Sequence, residues 1–157
     1  MSNALLIKGY LKPLAVDAVI FSDPTLALAW CKEHEPALVL LDFLMPGMNG
    51  IEFIRQFRGD DRLRDVPVTI VTWDERQETL HKALKAGATD FLQKPIDRVD
   101  LIVRMQNILE LQLRRRDLVE TNARAAQMNA QLADKIKQLE AAYDLMARRE
   151  RLDSSAA

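Results

Sequence analysis

Leu38 to Gly50 reads LVLLDFLMPGMNG. The apolar run Ala37–Leu41 leads into one carboxylate, Asp42, and the chain then turns through Pro46, Gly47 and Gly50. A run without polar alternation is the pattern of a strand covered on both faces. Burial does not call for a carboxylate at the end of such a strand, so Asp42 is a candidate for chemistry.

Outward from this stretch, short apolar runs alternate with amphipathic segments. Ser2 or Asn3 can cap a helix through ALLIKGYLKPL to about Leu14. VDAVIF, 16–21, is a strand candidate, and Asp23-Pro24 opens a helix to about His34, with Pro24 at its first position. Asn49 begins a helix through GIEFIRQFR. Pro67 precedes the apolar VTIVT, 68–72. DERQETLHKALKAG, 74–87, is helical and ends on Gly87 as a C-cap. TDFL, 89–92, is a short strand followed by QKP, and Arg98 opens a further helix. Such alternation predicts an α/β fold, a parallel sheet with helices on both faces. In these sheets the ligand site lies at the carboxyl ends of the strands. Asp42, Thr72 and Lys94 stand at three such ends, so a carboxylate, a hydroxyl and an ammonium should meet at one rim. A carboxylate can attack a phosphoryl group, and the added negative charge suits Lys94 and the Thr72 hydroxyl.

With LVLLDFLMPGMNGIEFIRQFR, VPVTIVT and KALKAGATDFLQKPID in place, the stretch from about Val16 to Leu109 resembles a response regulator receiver domain. The resemblance implies a flavodoxin-like doubly wound sheet. It makes Asp42 the phosphoacceptor, Thr72 the hydroxyl that turns toward the phosphoryl group, and Lys94 the phosphate-binding ammonium, with a cis bond to Pro95. Phe91 takes the position of the switch aromatic. The backbone carbonyl of Leu44 and Asp42 are implied contributors to a magnesium ion. A sensor histidine kinase or a phosphotransfer protein is the implied partner, and a switch rather than an enzyme is the implied role.

The chain departs from the family pattern in two places. Receivers begin with an apolar strand ending in an acidic pair that holds magnesium, whereas this sequence opens on a segment that matches the first helix. Asp17 and Asp23 belong to the second strand or the turn after it and do not replace the pair. Magnesium binding is therefore expected to be weak. In the flavodoxin-like order the first strand is central, so 16–21 and 37–42 lose their shared neighbour. Three accounts stand: the sequence starts inside a longer protein; the sheet closes by direct pairing of the two strands or by a strand from another chain; or 3–14 is not helical. The second departure is Trp73, where the family has a small residue. It either narrows the route to Asp42 or lies over the surface with little effect. The alternative function is a pseudo-receiver, a dimerisation and docking module that works without phosphorylation.

The remaining composition is bland. The net charge of −1 gives no general reason to bind nucleic acid or an anionic membrane. One cysteine, Cys31, excludes an internal disulfide, and a reducing, cytoplasmic setting is expected. No run approaches the ~20 apolar residues of a membrane span, and no secretory signal pattern opens the sequence. His34 and His81 read as helix-surface residues, Cys31 as packing, Met45 and Met48 as loop residues. Arg114–Arg116, beside Asp117 and Glu120, read as a solvated helix face.

After about residue 110 the sequence has no Pro or Gly. Leu111, Leu118, Ala125, Leu132, Leu139 and Met146 alternate with Arg115, Asn122, Asn129, Ile136 and Tyr143 in steps of four and three. This is a heptad pattern with leucine favoured at d and asparagine twice at a, the signature of a parallel homodimer; one amphipathic helix folded on its own domain is the other reading. The expected divisions are a receiver over 1–110, a coiled-coil helix over 111–150 and a disordered tail over 151–157.

Overall fold

The computed structural model describes residues 3–74 and 76–155, with side chains to residue 151. Ser2 as a helix cap therefore lies outside the described residues. The chain divides into two compact units, 1–112 and 113–157.

In the first unit, helix α1 spans Asn3–Leu11 and tightens into a 3₁₀ turn over Lys12–Leu14 at Pro13. The helical reading of 3–14 thus holds. Helix α2 spans Pro24–His34, where the Asp23 side chain accepts from the Thr25 N–H at 2.8 Å. Strand β1 follows, Val39–Asp42. A two-residue pair, β2 (Leu44–Met45) and β3 (Met48–Asn49), closes around Pro46-Gly47, with Gly47 at φ +76°. The sequence reading did not separate this hairpin from the loop. Helix α3 spans Gly50–Arg58, strand β4 Val68–Thr72, helix α4 Gln77–Ala86, strand β5 Asp90–Gln93 and helix α5 Arg98–Ser155.

Strands β1, β4 and β5 form a parallel sheet in that order, with Asp42 opposite Val71 and Thr72 opposite Gln93. The sheet separates two apolar clusters. On one face Leu28 and Cys31 of α2, Phe53, Ile54 and Phe57 of α3 and Ala83 of α4 pack on Leu41, Val68 and Ile70. On the other, Leu11 of α1 and Leu101 and Met105 of α5 pack on Val71 and Leu92. Burial on both faces explains why β1 and β4 carry apolar runs without polar alternation.

Three expectations are corrected. Residues 16–21 form no regular secondary structure and join neither sheet. The physical reason is the lack of a neighbour: among the described residues no backbone hydrogen bond links this segment to β1, so direct pairing does not occur. Helix α4 begins at Gln77 rather than Asp74, because the Asp74 carboxylate takes the Arg76 N–H at 3.0 Å and turns the chain first. Helix α5 continues to Ser155, through residues expected in an irregular tail, since nothing after Arg98 breaks a helix; residues 156–157 lie outside the described residues. No helix among the described residues is long and apolar enough to cross a membrane.

Candidate functional site

The register of the parallel strands brings Asp42, Thr72 and Lys94 to one rim. Asp42 ends β1, Thr72 ends β4, and Lys94 follows β5 with its N–H donating to Thr72 O at 2.8 Å. The Lys94–Pro95 peptide bond is cis. Lys94 Nζ donates to Asp42 Oδ2 at 2.5 Å. The lysine side chain is 7% exposed and the Asp42 side chain 42%. The cation is therefore withdrawn from water, while its carboxylate stays open to an incoming group. Asp42 Oδ1 accepts from the Leu44 N–H at 3.3 Å, which orients the carboxylate from the loop side.

Thr72 is buried, and its hydroxyl oxygen accepts from the Asp74 N–H at 2.9 Å. A cleft opens above these groups, lined also by Phe43, Leu44, Trp73, Asp74 and Arg76. Trp73 borders it with 64% of its surface exposed. Phe91 lies on β5, does not line the cleft and is 37% exposed.

Asp74 and Arg76 were not singled out in the sequence. Arg76 Nε and Nη2 hold both Asp74 oxygens, and the Thr79 hydroxyl donates to Oδ2 at 2.9 Å. The Arg76 hydrogen bonds keep the Asp74 carboxyl well below the ordinary carboxylate value. An Asp that captures the N–H two residues on is a recognisable turn signal, and it was present in Asp74-Glu75-Arg76. Arg76 thus supplies the cleft with a second cation.

The other residues weighed from sequence lie elsewhere. His34 and His81 are exposed, His34 with its ring stacked on Trp30 at 4.3 Å. Cys31 is buried in the core, and burial pushes its thiol pKa up.

A carboxylate, half open and neutralised by a buried ammonium, can act as a nucleophile toward phosphorus with countercharge already in place. It is less suited to magnesium, which takes an octahedral oxygen set and usually one or two carboxylates. Of the two carboxylates in the cleft, Asp74 is engaged by Arg76 and Thr79, and Asp42 already pairs with Lys94. Among the described residues no group of three or more His, Cys, Asp or Glu side chains converges. The residues present do not fit a tightly held magnesium ion.

The response regulator receiver domain model matches residues 2–106. The cyclic di-GMP phosphodiesterase response regulator RpfG of Xanthomonas campestris is 37% identical over 113 residues, covering 71% of this chain and 30% of that protein. The response regulator PleD of Caulobacter vibrioides is 32% identical over 112 residues, covering 71% of this chain and 25% of that protein. The chain thus spans less than a third of the length of these curated relatives. Among solved structures, the receiver domain of a sensor histidine kinase from Pseudomonas aeruginosa, described with a magnesium ion coordinated in its active site cleft, is 25% identical. It superposes with a TM-score of 0.63, covering 69% of this chain and 88% of that one. With a parallel sheet whose carboxyl ends gather Asp42, Thr72 and Lys94, and with this match over most of its first unit, the chain belongs to the response regulator receiver family.

Proposed function

We propose that this receiver is a phosphoacceptor switch of a two-component phosphorelay. The observation that carries the reading is the Lys94 Nζ–Asp42 Oδ2 contact of 2.5 Å at the open end of the parallel sheet. A carboxylate oxygen of Asp42 attacks the phosphoryl group of a phosphohistidine on a sensor kinase or phosphotransfer protein. The P–N bond breaks as the P–O bond forms, and the donor imidazole recovers a proton. Lys94 then bridges carboxylate and phosphoryl oxygens, and the Thr72 hydroxyl turns from the Asp74 N–H to donate to the phosphoryl group. Phe91, on the neighbouring strand, belongs to the face that passes the change on, and the helix after residue 112 carries it to a dimeric stalk in the cytoplasm. A docking role without phosphorylation is the less favoured reading, since it leaves the buried ammonium at Asp42 without a purpose.

The test compares the chain as given with the same chain preceded by an apolar strand that ends in two aspartates. The first should bind magnesium weakly and take little label from acetyl phosphate or beryllofluoride, because its oxygen set is short. The extended form should label stoichiometrically, and Asp42→Asn should abolish that labelling. Failure of the extended form to label at Asp42 overturns the function. Stoichiometric, magnesium-dependent labelling of the chain as given overturns the account of its metal set.

A further inference from the structure

Two large apolar side chains stand at the mouth of the Asp42 cleft. Leu44 follows the end of β1 and Trp73 the end of β4, and both line the cleft with Asp42, Thr72 and Lys94. Leu44 is 75% exposed and Trp73 64%, so each holds apolar surface in water beside the open carboxylate. Arg76 also lines the cleft, but its guanidinium is bound to the Asp74 carboxylate through Nε and Nη2. Its charge is therefore met before any ligand arrives. The Lys94 ammonium is buried against Asp42.

The chemistry of transfer divides this cleft in two. When Asp42 attacks a phosphoryl group, the attacking oxygen and the leaving atom stand roughly in line across phosphorus. The phosphoryl group then lies over Asp42 and Lys94, and the leaving group lies outward, at the rim. Rim residues therefore meet the donor rather than the group transferred. Leu44 and Trp73 offer that donor an aliphatic side chain and an indole, beside a guanidinium whose charge is already paired. Acetate, which leaves an acyl phosphate as an anion, gains little there. A flat, neutral imidazole gains a stacking surface. The molecule contains such a pair elsewhere: the His34 ring stacks on Trp30, with centroids 4.3 Å apart and planes 4° from parallel.

We propose that Trp73 selects the phosphodonor, its indole stacking on the imidazole of a phosphohistidine, with Leu44 beside it, so that imidazole donors are favoured over acyl phosphates. The inference rests on the phosphoacceptor reading of Asp42 and names the side chain that recognises the donor. With an imidazole donor, the P–O bond to Asp42 forms as the P–N bond breaks. The ring leaves with that electron pair and takes up a proton. With acetyl phosphate a P–O bond breaks instead, and acetate leaves. Trp73 holds the leaving ring and takes no part in either bond change. An aromatic pair of this kind amounts to about twofold to tenfold in preference.

The test uses phosphoimidazole and acetyl phosphate with magnesium in solution. In NMR of the full chain, phosphoimidazole should shift the Trp73 indole N–H saturably, and acetyl phosphate should shift it far less. Trp30, already stacked on His34, should stay in place. An unmoved Trp73 overturns the proposal, and so does an equal shift with imidazole alone, which marks unspecific ring contact. Initial labelling rates at Asp42 are then taken on the full chain and on its strand-extended form. The ratio of phosphoimidazole to acetyl phosphate rates should fall about twofold to tenfold in Trp73→Leu. Trp73→Phe, which keeps a ring, should retain most of it. A ratio unchanged in Trp73→Leu overturns the proposal; if both rates rise together, Trp73 is a steric gate alone. Absence of label from either donor in the extended form overturns the phosphoacceptor function instead, and the indole shift then decides the donor seat by itself.

Discussion

Arg58 shows how much one side chain can hold at the end of the sheet opposite Asp42. Its Nε and Nη2 donate to Gly87 O at 3.1 and 2.7 Å, and its Nη1 donates to Leu63 O and Val66 O at 2.9 and 2.7 Å. Val66 precedes β4 and Gly87 precedes β5, so one guanidinium ties together the entries to two strands. It also lies over the Phe57 ring, 5.3 Å from the centroid. Gly87 belongs to the same arrangement: it has φ +111°, and a Cβ there would come 3.0 Å from Arg58 Nε. Arg58→Met keeps most of the stem and removes every donor, leaving three carbonyls short of partners. Charged hydrogen bonds contribute about 1.5–3 kcal/mol each, not additively, so a loss of ~2–4 kcal/mol is expected in urea unfolding. Unaltered stability would show that water replaces the guanidinium at no cost. In the sequence Arg58 is only the last residue of a helix; its partners are 5 to 29 residues away and carry no side-chain signal.

Among the elements, α3 is the one whose start touches the site. Asn49 Oδ1 accepts from the Glu52 N–H and Glu52 Oε2 accepts from the Asn49 N–H, both at 3.0 Å, a reciprocal capping box. The Gly50 N–H then donates to Phe43 O at 2.9 Å, and a Cβ on Gly50 would meet Phe43 Cα at 3.2 Å. The helix start and the loop after Asp42 are thus fixed to each other. Asn49→Ala should cost about 1 kcal/mol in thermal unfolding, the usual worth of such a cap, while Asn49→Asp should retain most of it. An Ala variant as stable as the parent would mean that packing alone fixes the helix start. By contrast, 16–21 has strand composition and no strand. Apolar content gives a segment the ability to pair, but the ladder needs a neighbour to pair with.

At the scale of the whole molecule, the second unit is helical from 113 to Ser155, with an apolar stripe and no buried residue among those described. Leu118, Leu132, Ile136, Leu139, Tyr143 and Met146 are each between 51% and 70% exposed. A helix draws most of its stability from packing an apolar face, so this stripe calls for a partner helix. The heptad spacing favours a second copy in parallel, with Asn122 and Asn129 at a holding the register. The full chain should be a dimer at micromolar concentration by light scattering, and truncation after Gln112 should leave a monomer. A full chain that stays monomeric at that concentration rules out the dimeric stalk.

The sequence by itself determined the layered α/β pattern, the helices of 3–14, 24–34 and 98 onward, and the three polar residues at strand ends. Each follows from local rules: unbroken apolar runs between covered faces, caps such as Asp23 and Asn49, and stops such as Gly87. The family resemblance was equally legible, because it rests on contiguous stretches around Asp42, Thr72 and Lys94. Only the tertiary structure decided which groups meet. It set Lys94 Nζ on Asp42 and placed Arg58 under two strand entries. It also left 16–21 unpaired, against its composition. The physical reason is common to all three: hydrogen bonds and ion pairs depend on distances between residues far apart in the chain, and periodicity along a sequence records which face a residue takes but not which partner waits there.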